Sequence, residues 1–304
     1  MQVTFWGTGA MSCLFAARFA LSGVVRVAML GTWAEAIHSI QKSGIRVENS
    51  TGIKTAHVDA GFYAAHTPPA DLAIVLVKSW QSRRISGLIE KNLKPGCVAL
   101  SLQNGLGNVE AFSCRVFTGV TFEGAMLIAP GHVAHRGSGV THIAAPEYIT
   151  DIFRSAGFEA QRCEPEETES LAWGKLAVNC GINALTALYG IRNGELLKRK
   201  DTAVLMEKAT LECAAVARAR GLKLPYSDPV AEVRETARRT AENMSSMFRD
   251  VLRGAPTECD AINGAVAMEG KRLGVPVPVN EALWRAMSEY ERAIKAKAVL
   301  KRTK

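Results

Sequence analysis

The 304-residue sequence predicts a doubly wound α/β domain followed by an all-helical domain. Two observations carry that expectation. Short apolar runs alternate with helical segments up to about residue 163, and beyond residue 169 no strand-like run occurs. A third, a glycine turn between the first strand and the first helix, narrows the α/β half further.

Gln2–Trp6 is a short β run, Ala10–Leu21 has helical composition, and Gly23 stops that helix. Val24–Leu30 is a second, Val-rich strand, and Trp33–Lys42 a second helix. Ile45–Ala60 alternates like two strands joined around Asn49, Ser50, Thr51 and Gly52. Asp71–Val77 and Cys97–Leu102 are nearly continuous apolar runs, as buried parallel strands are. From Val116 to Ala145 the pattern is strands with turns at Pro130–Gly131 and Gly137–Gly139, and a last helix and strand fill Glu147–Cys163. The charged stretch Glu164–Glu169 lacks apolar residues and is expected to separate two domains, 1–167 and 168–304. Helices are expected near 169–190, 201–220, 228–253, 257–273 and 279–299.

Composition sets the outer limits. Hydrophobic residues make up 48% and charged residues 22%, ordinary values for a folded chain. The net charge of +8 favours anionic partners, but much of the excess sits in the tail, at Lys295, Lys297, Lys301, Arg302 and Lys304. No zinc-finger spacing or RNA-binding aromatic motif accompanies it, so no nucleic-acid partner is expected. Seven scattered cysteines without a CxxC pair argue against a disulfide framework or a metal site. No run reaches the ~18 apolar residues of a membrane span, and the start reads as a strand, not a signal peptide. The expected location is the cytoplasm.

Gly7, Thr8, Gly9, Ala10, Met11 and Ser12 form a GxGxxS turn between strand and helix. The first glycine permits the tight turn. The second lets the backbone approach a pyrophosphate at the helix N-terminus. The third position holds Ser12 where Gly or Ala is usual. Placed here, the pattern predicts a Rossmann-type dinucleotide-binding domain. The second strand ends at Gly31 without the acid of an NAD site, and without the Arg or Lys that would grip a 2′-phosphate. NADP is mildly favoured and NAD stays open.

In the helical half, Lys175, Asn179 and Asn183 recur at i, i+4 and i+8 among apolar neighbours, and so share one helix face. Such groups need partners, because each unpaired buried polar group costs ~1–3 kcal/mol. For the asparagines alone a structural network would suffice. A buried lysine has its pKa lowered and becomes a usable proton donor near neutrality. All six histidines (38, 57, 66, 132, 135, 142) precede the boundary, which leaves Lys175 as the candidate acid of the helical half. Asn243 and Ser246 are expected on one helix face at i, i+3, where either a ligand or solvent could meet them. Thr257 with Asp260 suits a helix N-cap, with Glu258 in the first turn, a common place for glutamate on dipole grounds alone.

These segments, together with Val77–Gln81, Gln103–Gly107 and Asn193–Leu196, resemble the ketopantoate reductase (2-dehydropantoate 2-reductase) family in order and spacing along essentially the whole chain. The resemblance implies NADPH-dependent reduction of ketopantoate to (R)-pantoate, on the route to pantothenate and coenzyme A. It implies Lys175 as general acid, with Glu258 anchoring substrate near it and near the cofactor. It places Asn179, Asn183, Asn193, Asn243 and Ser246 in the substrate pocket. Asn104 falls at the junction of nicotinamide and substrate, with Lys78 and Ala125 on the cofactor side. Gly31 departs from relatives that carry a basic residue there. Two other readings remain: a reductase of the same fold acting on another 2-oxo or 3-hydroxy acid, and a non-catalytic NADP(H)-binding sensor. A monomer or homodimer is expected.

Overall fold

The computed structural model describes residues 1–63 and 67–302, with side chains to residue 294. His66 and the tail side chains named above lie outside the described part. Twelve strands and ten α-helices follow in chain order: β1 (Gln2–Trp6), α1 (Ala10–Ser22), β2 (Arg26–Gly31), α2 (Ala34–Ser43), β3 (Ile45–Asn49), β4 (Gly52–Ala56), β5 (Asp59–Phe62), β6 (Ala70–Val75), α3 (Ser82–Asn92), β7 (Leu93–Ser101), β8 (Val116–Thr121), β9 (Gly124–Ala129), β10 (His132–Gly137), β11 (Thr141–Ala144), α4 (Glu147–Ser155) and β12 (Ala160–Arg162). The helical half holds α5 (Pro165–Tyr189), α6 (Lys200–Ala219), α7 (Pro229–Arg239), α8 (Ser246–Leu252), α9 (Asn263–Leu273) and α10 (Pro278–Arg302). None of the described helices is long and apolar enough to cross a membrane.

The chain forms two units. The first comprises 1–103 and 108–168; the second comprises 104–107 and 169–304.

In the first unit an eight-stranded sheet runs β12-β11-β8-β7-β6-β1-β2-β5. β1 lies between β2 and β6, parallel to both. The chain thus crosses one way for β2 and the other way for β6, and the end of β1 sits where the winding reverses, the place at which such sheets bind ligands. Successive side chains alternate in facing (period 2), so both faces of the sheet must be covered. On one face Val3 and Phe5 pack with Leu14, Phe15 and Phe19 of α1 and Phe153 of α4. On the other, Trp6, Val75 and Ala99 pack with Ile85 and Ile89 of α3.

A second sheet, β4-β3-β10-β9, was not foreseen. Its central pairing, β3 with β10, aligns Arg46 with His132 across a long sequence separation.

The second unit is helical. Trp173, Ala177, Cys180 and Ala184 of α5 share a core with Met206 and Cys213 of α6, Val266 of α9 and Met287 of α10. Two boundaries differ from expectation. The charged stretch 164–169, expected as a break, is helical from Pro165, which starts α5, and Glu166 and Glu167 occupy the first turn, where acids complement the helix dipole. The expected helix 228–253 is two helices, broken at Thr240–Ser245.

Candidate functional site

In the first unit, the turn after β1 is built largely by omission of side chains. Gly7 adopts φ +121°, a conformation that favours glycine, and a Cβ there would lie 3.1 Å from the Leu76 carbonyl oxygen. Gly9 caps α1 in extended conformation, and the helix has no side-chain cap. A Cβ on Gly9 would meet no atom within 4 Å, so protein packing does not demand glycine there. The open backbone it leaves at the start of α1 is the arrangement that a pyrophosphate at a helix N-terminus requires. Ser12 is buried, and its Oγ donates to the Gly7 carbonyl at 2.6 Å, bracing the turn from inside. The departure at the third position is therefore a hydroxyl with a defined partner.

Gly31, at the end of β2, is tied to the same turn. A Cβ on it would approach Thr8 Cγ2 to 2.7 Å. Thr8 is itself buried, so its side chain takes the room that a larger residue at 31 would need. Met11 and Ala10, in the first turn of α1, are half-buried and pack against the apolar core of the unit. Lys78, extended at the end of the β6 segment, is half-buried. The loops after β6 and β7 are joined by Gln103, whose Nε2 donates to Val77 O at 3.0 Å and Ser82 Oγ at 2.8 Å. Nothing in the sequence marks Gln103 for that tie. Ala125, on β9 opposite His135 of β10, packs against the same core.

In the second unit, Lys175, Asn179 and Asn183 do lie on one continuous helix, α5. Lys175 and Asn179 are half-buried and Asn183 is buried. Desolvation pushes the Lys175 ammonium down to about 8 from its ordinary 10.5, against the opposing pull of the Glu258 carboxylate. Glu258 is buried, just ahead of a short 3₁₀ turn at Cys259–Ala261. The segment 104–107 joins this region: Leu106 N donates to Ala261 O at 3.0 Å, and Gly105, at φ +80°, lets the chain pass within a distance no Cβ would tolerate. Asn104 is thereby brought to the element that carries Glu258.

A separate strap holds Asn193. Its N–H donates to Asn243 O at 3.0 Å, Gly194 N to Ala241 O at 3.1 Å, and its Nδ2 to Thr240 Oγ1 at 2.9 Å. Its buried Oδ1 has no hydrogen-bond partner among the described residues, an acceptor suited to a substrate hydroxyl. Asn243 and Ser246 do not share a helix face as expected. Asn243 is in the break before α8 and Ser246 begins α8, both exposed. The buried hydroxyl is that of the preceding residue. Ser245 Oγ caps α8 by accepting from Phe248 N at 3.1 Å, and receives Thr186 Oγ1 of α5 at 2.7 Å. A serine ahead of an apolar helix start was the signal for it. Thr257 and Asp260 do not form a reciprocal cap: Asp260 Oδ1 accepts from the Trp284 indole at 2.7 Å.

Comparison with known proteins decides what this arrangement belongs to. The family model described as "Ketopantoate reductase PanE/ApbA" matches residues 3–147, and the one described as "Ketopantoate reductase PanE/ApbA C terminal" matches 167–291. The chain belongs to the ketopantoate reductase family. It is 33% identical over 295 residues to a 2-dehydropantoate 2-reductase of Archaeoglobus fulgidus, covering 93% of this chain and 95% of the relative. The enzyme of that name from Vibrio cholerae is 30% identical over 305 residues, covering 96% and 99%. The crystal structure of a PanE/ApbA family ketopantoate reductase from Ralstonia eutropha JMP134 superimposes with a TM-score of 0.90 at 29% identity, covering 97% of this chain and all of that one. Membership makes this chain an oxidoreductase with a Rossmann-type cofactor domain.

Proposed function

We propose that this chain reduces 2-dehydropantoate to (R)-pantoate, with NADPH as reductant and Lys175 as general acid. The carrying observation is the Lys175 ammonium, desolvated to a pKa of about 8 with Glu258 as its charge partner. A group with that pKa is largely protonated at neutral pH and yields its proton readily. Gly7–Ser12 would hold the pyrophosphate of the dinucleotide, with Lys78, Asn104, Ala125, Glu258 and Gly31 also on the cofactor's path. Bound NADPH supplies a hydride to the carbonyl carbon. Lys175 Nζ stabilises the growing negative charge on the carbonyl oxygen and transfers a proton to it, leaving a neutral amine that solvent reprotonates. Glu258 anchors the substrate near Lys175. Asn179, Asn183, Asn193, Asn243 and Ser246 line the substrate's other polar groups.

In this reading residues 1–167 serve the dinucleotide and 168–304 the substrate. The protein acts in the cytoplasm as a monomer or homodimer with a small-molecule substrate and no nucleic-acid partner. A steady-state assay with ketopantoate, followed by nucleotide absorbance with NADPH and with NADH, tests it. Tight NADPH binding without turnover of any 2-oxo acid would replace the enzyme with a sensor. Turnover of a different 2-oxo acid in preference to ketopantoate would change the substrate and keep the chemistry.

A further inference from the structure

Glu258 precedes a single 3₁₀ turn, an element too short to hold a charged side chain in place by its own hydrogen bonds. Something outside it must fix the backbone from which Glu258 acts. The residue immediately before supplies the handle. Thr257 is buried, and its Oγ1 accepts from Cys259 N at 3.2 Å, closing the turn around Glu258. The same threonine is held from α10. Glu291 Oε1 accepts from Thr257 N at 2.9 Å and from Thr257 Oγ1 at 2.5 Å. One carboxylate oxygen thus takes both donors, which fixes the threonine rotamer and the peptide plane together. Short bonds to an ionised acceptor are the stronger kind. Around the carboxylate stand Asp260, Ser288 and Arg292, which line a small polar pocket with it, and the Cys259 thiol.

We propose that Glu291 is a positioning residue: through the amide and hydroxyl of Thr257 it fixes the turn that sets Glu258 against Lys175. The proposal rests on the roles given above to Lys175 and Glu258. It places a residue of the last helix, remote in sequence from both, in control of their alignment. Loss of the clamp frees the turn to rotate, so Glu258 spends less time near the ammonium and the substrate.

The test uses the full chain with ¹⁵N-labelled lysine, following the Lys175 ammonium by NMR as pH is raised, alongside KM and kcat for ketopantoate below pH 7. Glu258→Gln removes the favourable charge and should lower the Lys175 pKa by roughly 1 unit. Glu291→Ala should lower it in the same direction by a smaller amount. It should also raise KM by about 10-fold, equivalent to one lost charge-assisted hydrogen bond, with a lesser change in kcat. Glu291→Gln, which keeps Oε1 as acceptor, should recover most of both effects. Thr257→Val, which removes the hydroxyl at nearly constant volume, should follow Glu291→Ala and stands in for it should that variant not fold. The proposal is overturned where Glu291→Ala and Thr257→Val lower the melting temperature while leaving the Lys175 titration and KM at wild-type values. It is equally overturned where Glu291→Gln behaves like Glu291→Ala, since charge and not geometry would then be at work. An unmoved Lys175 titration in Glu258→Gln sinks the Lys175–Glu258 pairing itself, a result separate from either of these.

Discussion

The glycine turn after β1 and the polar stripe of α5 solve opposite problems. At the turn, Gly7 and Gly9 matter for side chains they do not have, one for its backbone angle and the other for the space it leaves. On α5, Lys175, Asn179 and Asn183 matter because polar groups stand among Trp173, Ala177, Cys180 and Ala184, where burial is costly without partners. Absence of side chains suits many nucleotides and identifies a cofactor class. A desolvated ammonium in the field of a carboxylate suits fewer reactions, and the proposed chemistry rests on it. The turn is therefore the general half of the molecule and the stripe the particular half.

The largest expected effect separates the two. Lys175→Ala should lower kcat by ~10³-fold, the usual worth of a positioned acid. NADPH affinity, measured by fluorescence titration, should stay at the wild-type value. Unchanged turnover would take the proton transfer away from α5 altogether. Gly9→Ala should do the reverse. The added methyl meets nothing in the protein, so the melting temperature should hold. Crowding of a bound pyrophosphate by ~1–3 kcal/mol would weaken NADPH binding by roughly 5- to 150-fold. Wild-type affinity in that variant would mean that the dinucleotide passes elsewhere.

The two regions were also unequally legible in the sequence. β1, β6 and β7 were readable because strands buried on both faces appear as apolar runs, and the turn because its glycines are fixed relative to them. The stripe was readable because a lysine at helical spacing from two asparagines has few innocent explanations in an apolar helix. What escaped was set by distant pairing. The β3–β10 contact leaves no local mark on either strand. The break at Thr240–Ser245 contains neither Pro nor Gly. It is held open by backbone bonds from Asn193 and Gly194 and by the Ser245 cap, none of which can be inferred from residues 240–245 alone. Misplacing that break put Asn243 and Ser246 on one helix face. The start of α5 reads as a break between domains because Glu164–Glu169 lacks apolar residues, whereas its acids complement the helix dipole and open the helix.

A pH titration sharpens the contrast on a smaller scale. Lys175 must be protonated to act, so kcat/KM should be level below about 8 and fall roughly tenfold per unit well above it. Stability should move oppositely. Between about 8 and 10.5 the unfolded chain still binds the lysine proton while the folded chain has released it, so the contribution of this group to stability rises across that window. Denaturant melts and initial rates on one set of buffers would show both slopes. A rate that climbs through pH 9 contradicts the assignment of the proton donor.

The smallest effect is expected at Ser12, where the two regions briefly resemble each other. Ser12 works by having a polar side chain, and like the pair of Thr186 on α5 with Ser245 it is buried and satisfied. Ser12→Ala removes the donor to the Gly7 carbonyl and costs about 1 kcal/mol. That corresponds to a fall in melting temperature of ~1–2 °C for a chain of this size. Because the hydroxyl faces the turn's own carbonyl, NADPH affinity should change less than twofold. Ser12→Gly restores the commoner third glycine but adds up to ~1 kcal/mol of helix-propensity loss, so it should be the less stable of the two. Were Ser12→Ala to cut NADPH affinity tenfold while the melting temperature held, the hydroxyl would be a ligand contact. The turn would then no longer be a region defined by what its residues leave out.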